Sequence, residues 1–83
     1  MESSVVIYTG KHCPYCVKAK QLLNNKGVVY REIDISNDKN LEKEMIRLTG
    51  KMTVPQIVIN DSPVGGCDDL YELDRRGELD RLL

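Results

Sequence analysis

Residues 5–16 read VVIYTGKHCPYC, and this stretch decides the fold. The apolar residues 5–8 are typical of a short buried strand, and residues 9–12 have the glycine and polar side chains of a loop. Pro14 suits the first turn of a helix, so we expect a helix that begins near Cys13 and ends at Gly27. The segment therefore predicts a strand, a loop and a helix, with two cysteines at the start of the helix.

The rest of the chain continues this alternation. The expected elements are a strand at residues 28–34, a helix at 39–49, an antiparallel hairpin of strands at 56–59 and 63–66, a helix at 67–76 and one further turn at 79–83. A strand, a helix and a strand in one sheet imply a parallel pair. In the second helix, the spacing of Leu41, Met45 and Leu48 predicts one buried face. The resulting order is βαβαββα, a small α/β sandwich.

Length and composition limit the class of protein. A chain of 83 residues has room for one core, so we expect a single domain over residues 1–83. Apolar residues make up 41% and charged residues 30%, which fits a folded domain rather than a disordered one. No apolar run approaches the roughly 20 residues of a membrane helix, and the first residues, MESS, lack a secretory leader. We therefore expect a cytoplasmic protein, a monomer, with no membrane partner.

The net charge of −1 hides a segregation of charge. Residues 3–31 hold five basic residues and no acid, whereas acids predominate in the rest of the chain. A wholly basic protein would suggest a nucleic-acid partner, but here the positive charge is confined to the segment that holds two of the cysteines, so we expect none. The basic segment is either a solvated helix face or an environment that favours a thiolate and an anionic substrate.

The cysteine motif Cys13-Pro14-Tyr15-Cys16 follows a strand and opens a helix. Backbone N–H groups at a helix N-terminus stabilise negative charge, so Cys13 should be substantially thiolate at neutral pH. Cys16 lies one turn later on the same face, where its sulfur can reach that of Cys13 while it is shielded from solvent. The pattern predicts that Cys13 attacks a disulfide and that Cys16 resolves the mixed disulfide. The alternative is a pair of small buried hydrophobic residues.

Two further segments suggest a ligand site. Thr53-Val54-Pro55 precedes a strand, and its backbone groups could pair with a peptide-like ligand, although a plain loop proline is the alternative. The run Gly65-Gly66-Cys67-Asp68-Asp69 opens the last long helix. Glycines allow close approach, the helix N-terminus attracts a carboxylate, and an aspartate can hold an ammonium group. A zwitterionic amino-acid moiety fits such a site, unless both aspartates only complement the helix dipole.

Together these segments, in this order and over essentially the whole chain, resemble the glutaredoxins, and most closely the short bacterial dithiol members. The resemblance implies a thioredoxin-like fold with a four-stranded mixed sheet flanked by helices, a cis Pro55, and glutathione as reductant and co-substrate with no permanently bound cofactor. It implies that Cys13 is the nucleophile and that glutathione is bound by the residues Lys11, Tyr15, Thr53, Val54, Pro55, Gly66, Cys67 and Asp68. The implied partners are glutathione and disulfide-containing or glutathionylated proteins, with ribonucleotide reductase as a candidate at family level.

Two alternatives keep the same residues but change the chemistry. Cys13, Cys16, Cys67 and His12 include enough ligand types for zinc, but a second closely spaced pair is missing, so we expect no metal site. The fold could also take its electrons from a thioredoxin reductase. Cys67 is either a small buried thiol, which the residue type favours, or a regulatory cysteine.

Overall fold

The computed structural model describes residues 4–83 and contains four strands and four helices within that range. In chain order the elements are β1 (Val5–Thr9), α1 (Pro14–Asn25), β2 (Arg31–Asp34), α2 (Lys39–Thr49), β3 (Gln56–Ile59), β4 (Ser62–Gly65), α3 (Cys67–Arg75) and α4 (Leu79–Leu82). The predicted order is confirmed, and the expected turn after α3 forms the short helix α4.

The four strands form one mixed sheet in the order β2-β1-β3-β4. β1 pairs in parallel with β2 and antiparallel with β3, and β3 pairs antiparallel with β4. Because β1 is a central strand, the loop that leaves its end at Thr9 emerges from the middle of the sheet. That loop carries the chain to the cysteines.

Hydrophobic residues alternate along the central strands and fill a core on each face of the sheet. Ile7 and Ile57 belong to the core that packs on α1, α3 and α4, where the fully buried helical side chains include Ala19, Leu23, Leu70 and Leu79. Tyr8 and Val58 face the other way and pack with Met45 of α2. The sheet is therefore covered on both sides, and every helix in residues 4–83 is too short or too polar to cross a bilayer.

The second strand is shorter than its sequence predicts. We expected a strand over residues 28–34, but β2 begins at Arg31, and Val29 is 84% exposed. The parallel pairing with β1 begins at Val6 and Arg31, so residues 28–30 take no part in it. The length of β2 depends on its pairing with β1, and this pairing cannot be predicted from residues 28–34 alone.

The hairpin also differs by one residue from the prediction. Asn60 and Asp61 have φ angles of 51° and 67°, and Ile59 pairs directly with Ser62. The connection is therefore a two-residue turn, whose backbone twist matches that of the strands. As a result, β4 begins at Ser62 and ends at Gly65, one residue earlier at each end than predicted.

The buried face of α2 is correct at Met45 and wrong at Leu48. Met45 is fully buried, whereas Leu48 is 38% exposed and Ile46 packs against the core instead. Leu48 lies near the end of the helix, beside Thr49 and the left-handed Gly50 that terminates it. Its side chain is therefore partly exposed and lies outside the fully buried core.

This difference predicts unequal effects of two truncations. Met45→Ala should lower the free energy of unfolding by about 2–5 kcal/mol because it removes buried methylene groups and leaves a cavity. Leu48→Ala should cost less than about 1 kcal/mol because its side chain is already half in water. Urea unfolding of both variants measures the two costs, and equal costs would contradict the placement of Leu48 outside the core.

Candidate active site

Cys13 is the N-cap residue of α1, so its side chain lies at the positive end of the helix. Its backbone is extended, with φ −111° and ψ 97°, and Pro14 occupies the first helical position. Cys13 Sγ accepts a hydrogen bond from the backbone N–H of Cys16 at 3.2 Å. The sulfur thus takes the place of the oxygen that usually caps a helix. Negative charge on this sulfur is stabilised by the amide and by the helix dipole.

Cys16 lies one turn into α1 and is 3% exposed. Burial, and next a hydrogen bond with the Cys13 side chain, raise the pKa of the Cys16 thiol to about 12. At neutral pH this thiol therefore stays protonated. Both cysteines are free thiols, with Cys16 buried and Cys13 partly accessible. The two sulfurs have different environments, as attack and resolution require.

The loop before β3 packs against Cys13. The Val54-Pro55 peptide bond is cis, as the resemblance implies, and the carbonyl oxygen of Val54 lies 3.8 Å from Cys13 Sγ. A carbonyl at this position accepts a hydrogen bond from the Cys13 thiol. Gly10 allows this packing, because a Cβ there would lie 3.2 Å from Val54 Cγ2.

A cleft of about 280 Å³ adjoins this loop. It lies among the start of α1, the loop before β3, and the junction of β4 with α3. Its lining residues are Tyr15, Lys51, Thr53, Val54, Pro55, Gln56, Gly65, Gly66, Cys67, Asp68 and Asp69. Cys13 lies in a separate recess with His12 and Pro14, and its contact with the Val54 carbonyl joins this recess to the cleft.

The start of α3 is fixed by Asp69. Its Oδ2 accepts a hydrogen bond from the N–H of Gly66 at 3.0 Å. Gly65 has a φ of 121°, and a Cβ at this position would overlap the Asp69 carboxylate, so a larger residue does not fit. Asp69 is thereby committed to the helix end, whereas Asp68 is exposed and lines the cleft. The two adjacent aspartates have different tasks, which the sequence alone does not separate.

Cys67 is the first residue of α3 and is 6% exposed. Burial, followed by the charge of Asp68, raises the pKa of its thiol. This environment is that of the small buried thiol that the sequence favours, because a regulatory cysteine needs thiolate character and exposure.

The basic segment does not act as one positive field. Lys20 pairs with Glu32 at 3.2 Å, and Lys26 pairs with two acids near the C-terminal end, Asp74 at 2.5 Å and Asp80 at 3.1 Å. These two lysines are therefore neutralised locally. Lys18 Nζ instead lies 5.7 Å from the centre of the Tyr15 ring, within the range of a cation–π interaction.

Lys11 lies away from the lining of the cleft. Hydrogen bonds from Ser36, and to a smaller extent the charge of Lys11, hold the pKa of Asp34 below its ordinary value. Lys11 is therefore close to the end of β2. The lysine that does line the cleft is Lys51, which belongs to the loop before β3.

The structure brings most of the predicted ligand residues together. Seven of the eight line the cleft, namely Tyr15, Thr53, Val54, Pro55, Gly66, Cys67 and Asp68. The sequence does not point to Lys51 or Gln56. For Lys51 the signal was its place two residues before Thr53. For Gln56 there was none, because burial of a glutamine cannot be inferred from its type.

The zinc hypothesis depends on a cluster of ligands. Within residues 4–83, no three His, Cys, Asp or Glu side chains are grouped so that they could hold a metal ion. Cys67 and His12 therefore do not complete a site with the two motif cysteines.

Comparison with known proteins agrees with this geometry. A family model described as glutaredoxin matches residues 5–64. A glutaredoxin of Pseudomonas aeruginosa is 54% identical over 79 residues, which are 95% of this chain and 94% of that protein.

Two solved structures are also similar. The solution structure of glutaredoxin from Brucella melitensis has 51% identity and a TM-score of 0.84, covering 96% of this chain and 87% of that one. The crystal structure of a buckwheat glutaredoxin–glutathione complex has 28% identity and a TM-score of 0.88, covering 98% and 76%. With its Cys13 and Cys16 pair, this chain belongs to the glutaredoxin family and is a glutathione-dependent thiol-disulfide oxidoreductase.

Proposed function

We propose that Cys13 is the attacking sulfur, that Cys16 resolves the mixed disulfide with protein substrates, and that glutathione binds in the cleft beside Val54. The observation that carries this assignment is the hydrogen bond from the Cys16 amide to Cys13 Sγ at the start of α1. It stabilises a thiolate on Cys13, while burial and the hydrogen bond to Cys13 keep Cys16 protonated. Cys13 is also the more accessible of the two.

With a glutathionylated protein, the Cys13 thiolate attacks the sulfur of the glutathione moiety. A bond forms between Cys13 and glutathione, the original disulfide breaks, and the protein leaves as a thiolate that takes a proton from water. A second glutathione thiolate then attacks the sulfur of the bound glutathione. Glutathione disulfide leaves and Cys13 returns to the thiolate, so one free glutathione is consumed for each protein thiol that is released, and the other half of the disulfide comes from the substrate.

With a protein disulfide, Cys13 forms a mixed disulfide with one sulfur of the substrate and releases the other as a thiol. Cys16 then loses its proton and attacks Cys13 Sγ, which forms the Cys13–Cys16 disulfide and releases the reduced protein. Two glutathione molecules reduce this internal disulfide in turn. The contact between the two cysteine side chains makes this step intramolecular.

The cleft offers complementary groups for each part of glutathione. The Val54 backbone is placed to pair with the cysteine moiety as an added strand. The N-terminus of α3 suits the α-carboxylate of the γ-glutamyl group, and the exposed Asp68 suits its ammonium group. Lys51 and Thr53 offer a cation and a hydroxyl to the glycine carboxylate. The similar buckwheat protein, which was solved as a glutathione complex, supports glutathione as the ligand.

The proposal also covers the substrates, the oligomeric state and the cellular compartment. The substrates are glutathionylated proteins and protein disulfides, with ribonucleotide reductase as one candidate, and the active form is a monomeric single domain of residues 1–83 with no resident metal. A reducing cytoplasm would keep all three cysteines as free thiols, which is the state of the structure.

Substitution of each cysteine separates the two reactions. Cys13→Ser should abolish reduction of both a glutathionylated peptide and a protein disulfide, because no attacking sulfur remains. Cys16→Ser should keep most of the first activity and lose most of the second. Rates measured with both substrates check this, and equal losses in Cys16→Ser would refute the division of roles.

Alkylation should report the difference between the thiols. Because the Cys16 pKa is raised to about 12, this thiol is protonated at pH 8, and it is also buried. Iodoacetamide at pH 8 should therefore modify the folded protein at Cys13 alone, as located by peptide mass spectrometry. After unfolding, all three cysteines should react. Modification of folded Cys16 at a rate similar to that of Cys13 would contradict the account.

The role of Asp68 is tested by removal of its charge. Asp68→Asn should raise the KM for glutathione about two- to tenfold, because an exposed ionic contact with the ammonium group is lost. The melting temperature should not change, since Asp68 is exposed. Glu42→Gln, which removes an exposed charge in the first turn of α2, is the control. An unchanged KM in Asp68→Asn would sink the proposed ammonium contact.

A further inference from the structure

Gln56 opens β3 and is the one buried polar side chain of the cleft lining. It is 3% exposed. Its Nε2 donates a hydrogen bond to the hydroxyl of Thr53 at 3.3 Å. Its Oε1 is buried and accepts no hydrogen bond from residues 4–83, and no other buried side-chain nitrogen or oxygen in that range is in this state.

The stability of the fold does not explain why position 56 carries an amide. A buried carbonyl oxygen without a partner destabilises a protein, whereas an apolar side chain of similar shape does not carry this cost. The hydrogen bond to Thr53 contributes little in return, because Thr53 is exposed and its hydroxyl can bond to water instead. A methionine at position 56 would therefore serve stability at least as well. The Gln56 amide instead acts on its hydrogen-bond partner, Thr53.

The hydrogen bond fixes the polarity of the Thr53 hydroxyl. A hydroxyl has one O–H donor and two acceptor lone pairs. Because Gln56 Nε2 is a donor, Thr53 Oγ1 must accept from it, and the O–H bond is directed away from Gln56. Thr53 lines the cleft together with Lys51 of the same loop. An oxygen acceptor bound at this end of the cleft would thus meet both a hydroxyl donor and a cation.

We infer that Gln56 is a positioning residue that acts through Thr53, holding its hydroxyl as a donor toward the glycine carboxylate of glutathione. The inference rests on the proposed function, in which glutathione occupies the cleft. It differs from the direct contacts proposed above because Gln56 need not touch the ligand. Its buried amide selects a carboxylate over an uncharged group at the end of the cleft formed by Lys51 and Thr53.

A double-mutant cycle tests the coupling. Gln56→Met and Thr53→Val should each raise the KM for glutathione about three- to tenfold, the effect of one lost hydrogen bond at a solvent-exposed position. The kcat at saturating glutathione should stay unchanged, and so should the melting temperature of Gln56→Met. In the double variant the KM should be no higher than in Thr53→Val, because Gln56 acts only through that hydroxyl. Initial rates with a glutathionylated peptide, coupled to glutathione reductase, give all four values.

A modified thiol distinguishes a positioning role of Gln56 from a purely structural one, because a structural defect would raise the KM for every thiol alike. Glutathione ethyl ester lacks the glycine carboxylate, so wild type and Gln56→Met should have equal KM values for it. Gln21→Met, an exposed glutamine of α1 that does not line the cleft, is the matched control and should behave as wild type with both thiols.

Three results would overturn the inference. They are an unchanged KM for glutathione in Gln56→Met, effects of the two single variants that multiply in the double variant, and an equal loss with the ester. If the proposed function itself were wrong, Cys13→Ser would keep its activity. That result does not depend on the residue at position 56.

Discussion

The account depends on one hydrogen bond, from the backbone N–H of Cys16 to Cys13 Sγ at 3.2 Å. It makes a sulfur the cap of α1, and therefore places the reactive atom where the helix dipole and a free amide both favour negative charge. The Val54 carbonyl lies 3.8 Å from the same sulfur and connects it to the cleft.

Elements on both sides of Cys13 hold this hydrogen bond in place. β1 is a central strand, so the loop to Cys13 starts from a position fixed by two neighbours. Cys16, Ala19 and Leu23 anchor α1 by their burial. The loop with the cis peptide reaches Cys13 because Gly10 presents no side chain to Val54. At the far side of the cleft, Asp69 holds the start of α3 in place, whereas Asp68 stays exposed along the cleft.

The sequence predicted the elements that depend on local chemistry. Pro14 after Cys13 located the helix start, and the three-residue spacing located Cys16 behind it. Features that depend on distant partners could not be predicted. The start of β2 at Arg31 is set by β1, and Lys26 is neutralised by Asp74 and Asp80, which lie about 50 residues further along the chain. Lys51 and Gln56 belong to the cleft only because the loop before β3 meets the start of α3.

The most direct test of the central claim is a crystal structure of the Cys16→Ser variant after reaction with glutathione disulfide. Without its resolving partner, the attacking cysteine should stay joined to glutathione. The account predicts a disulfide at Cys13, with the cysteine moiety paired to the Val54 backbone and the γ-glutamyl group at the start of α3. Glutathione bonded to Cys67, or bonded to Cys13 but lying outside the cleft, would contradict it.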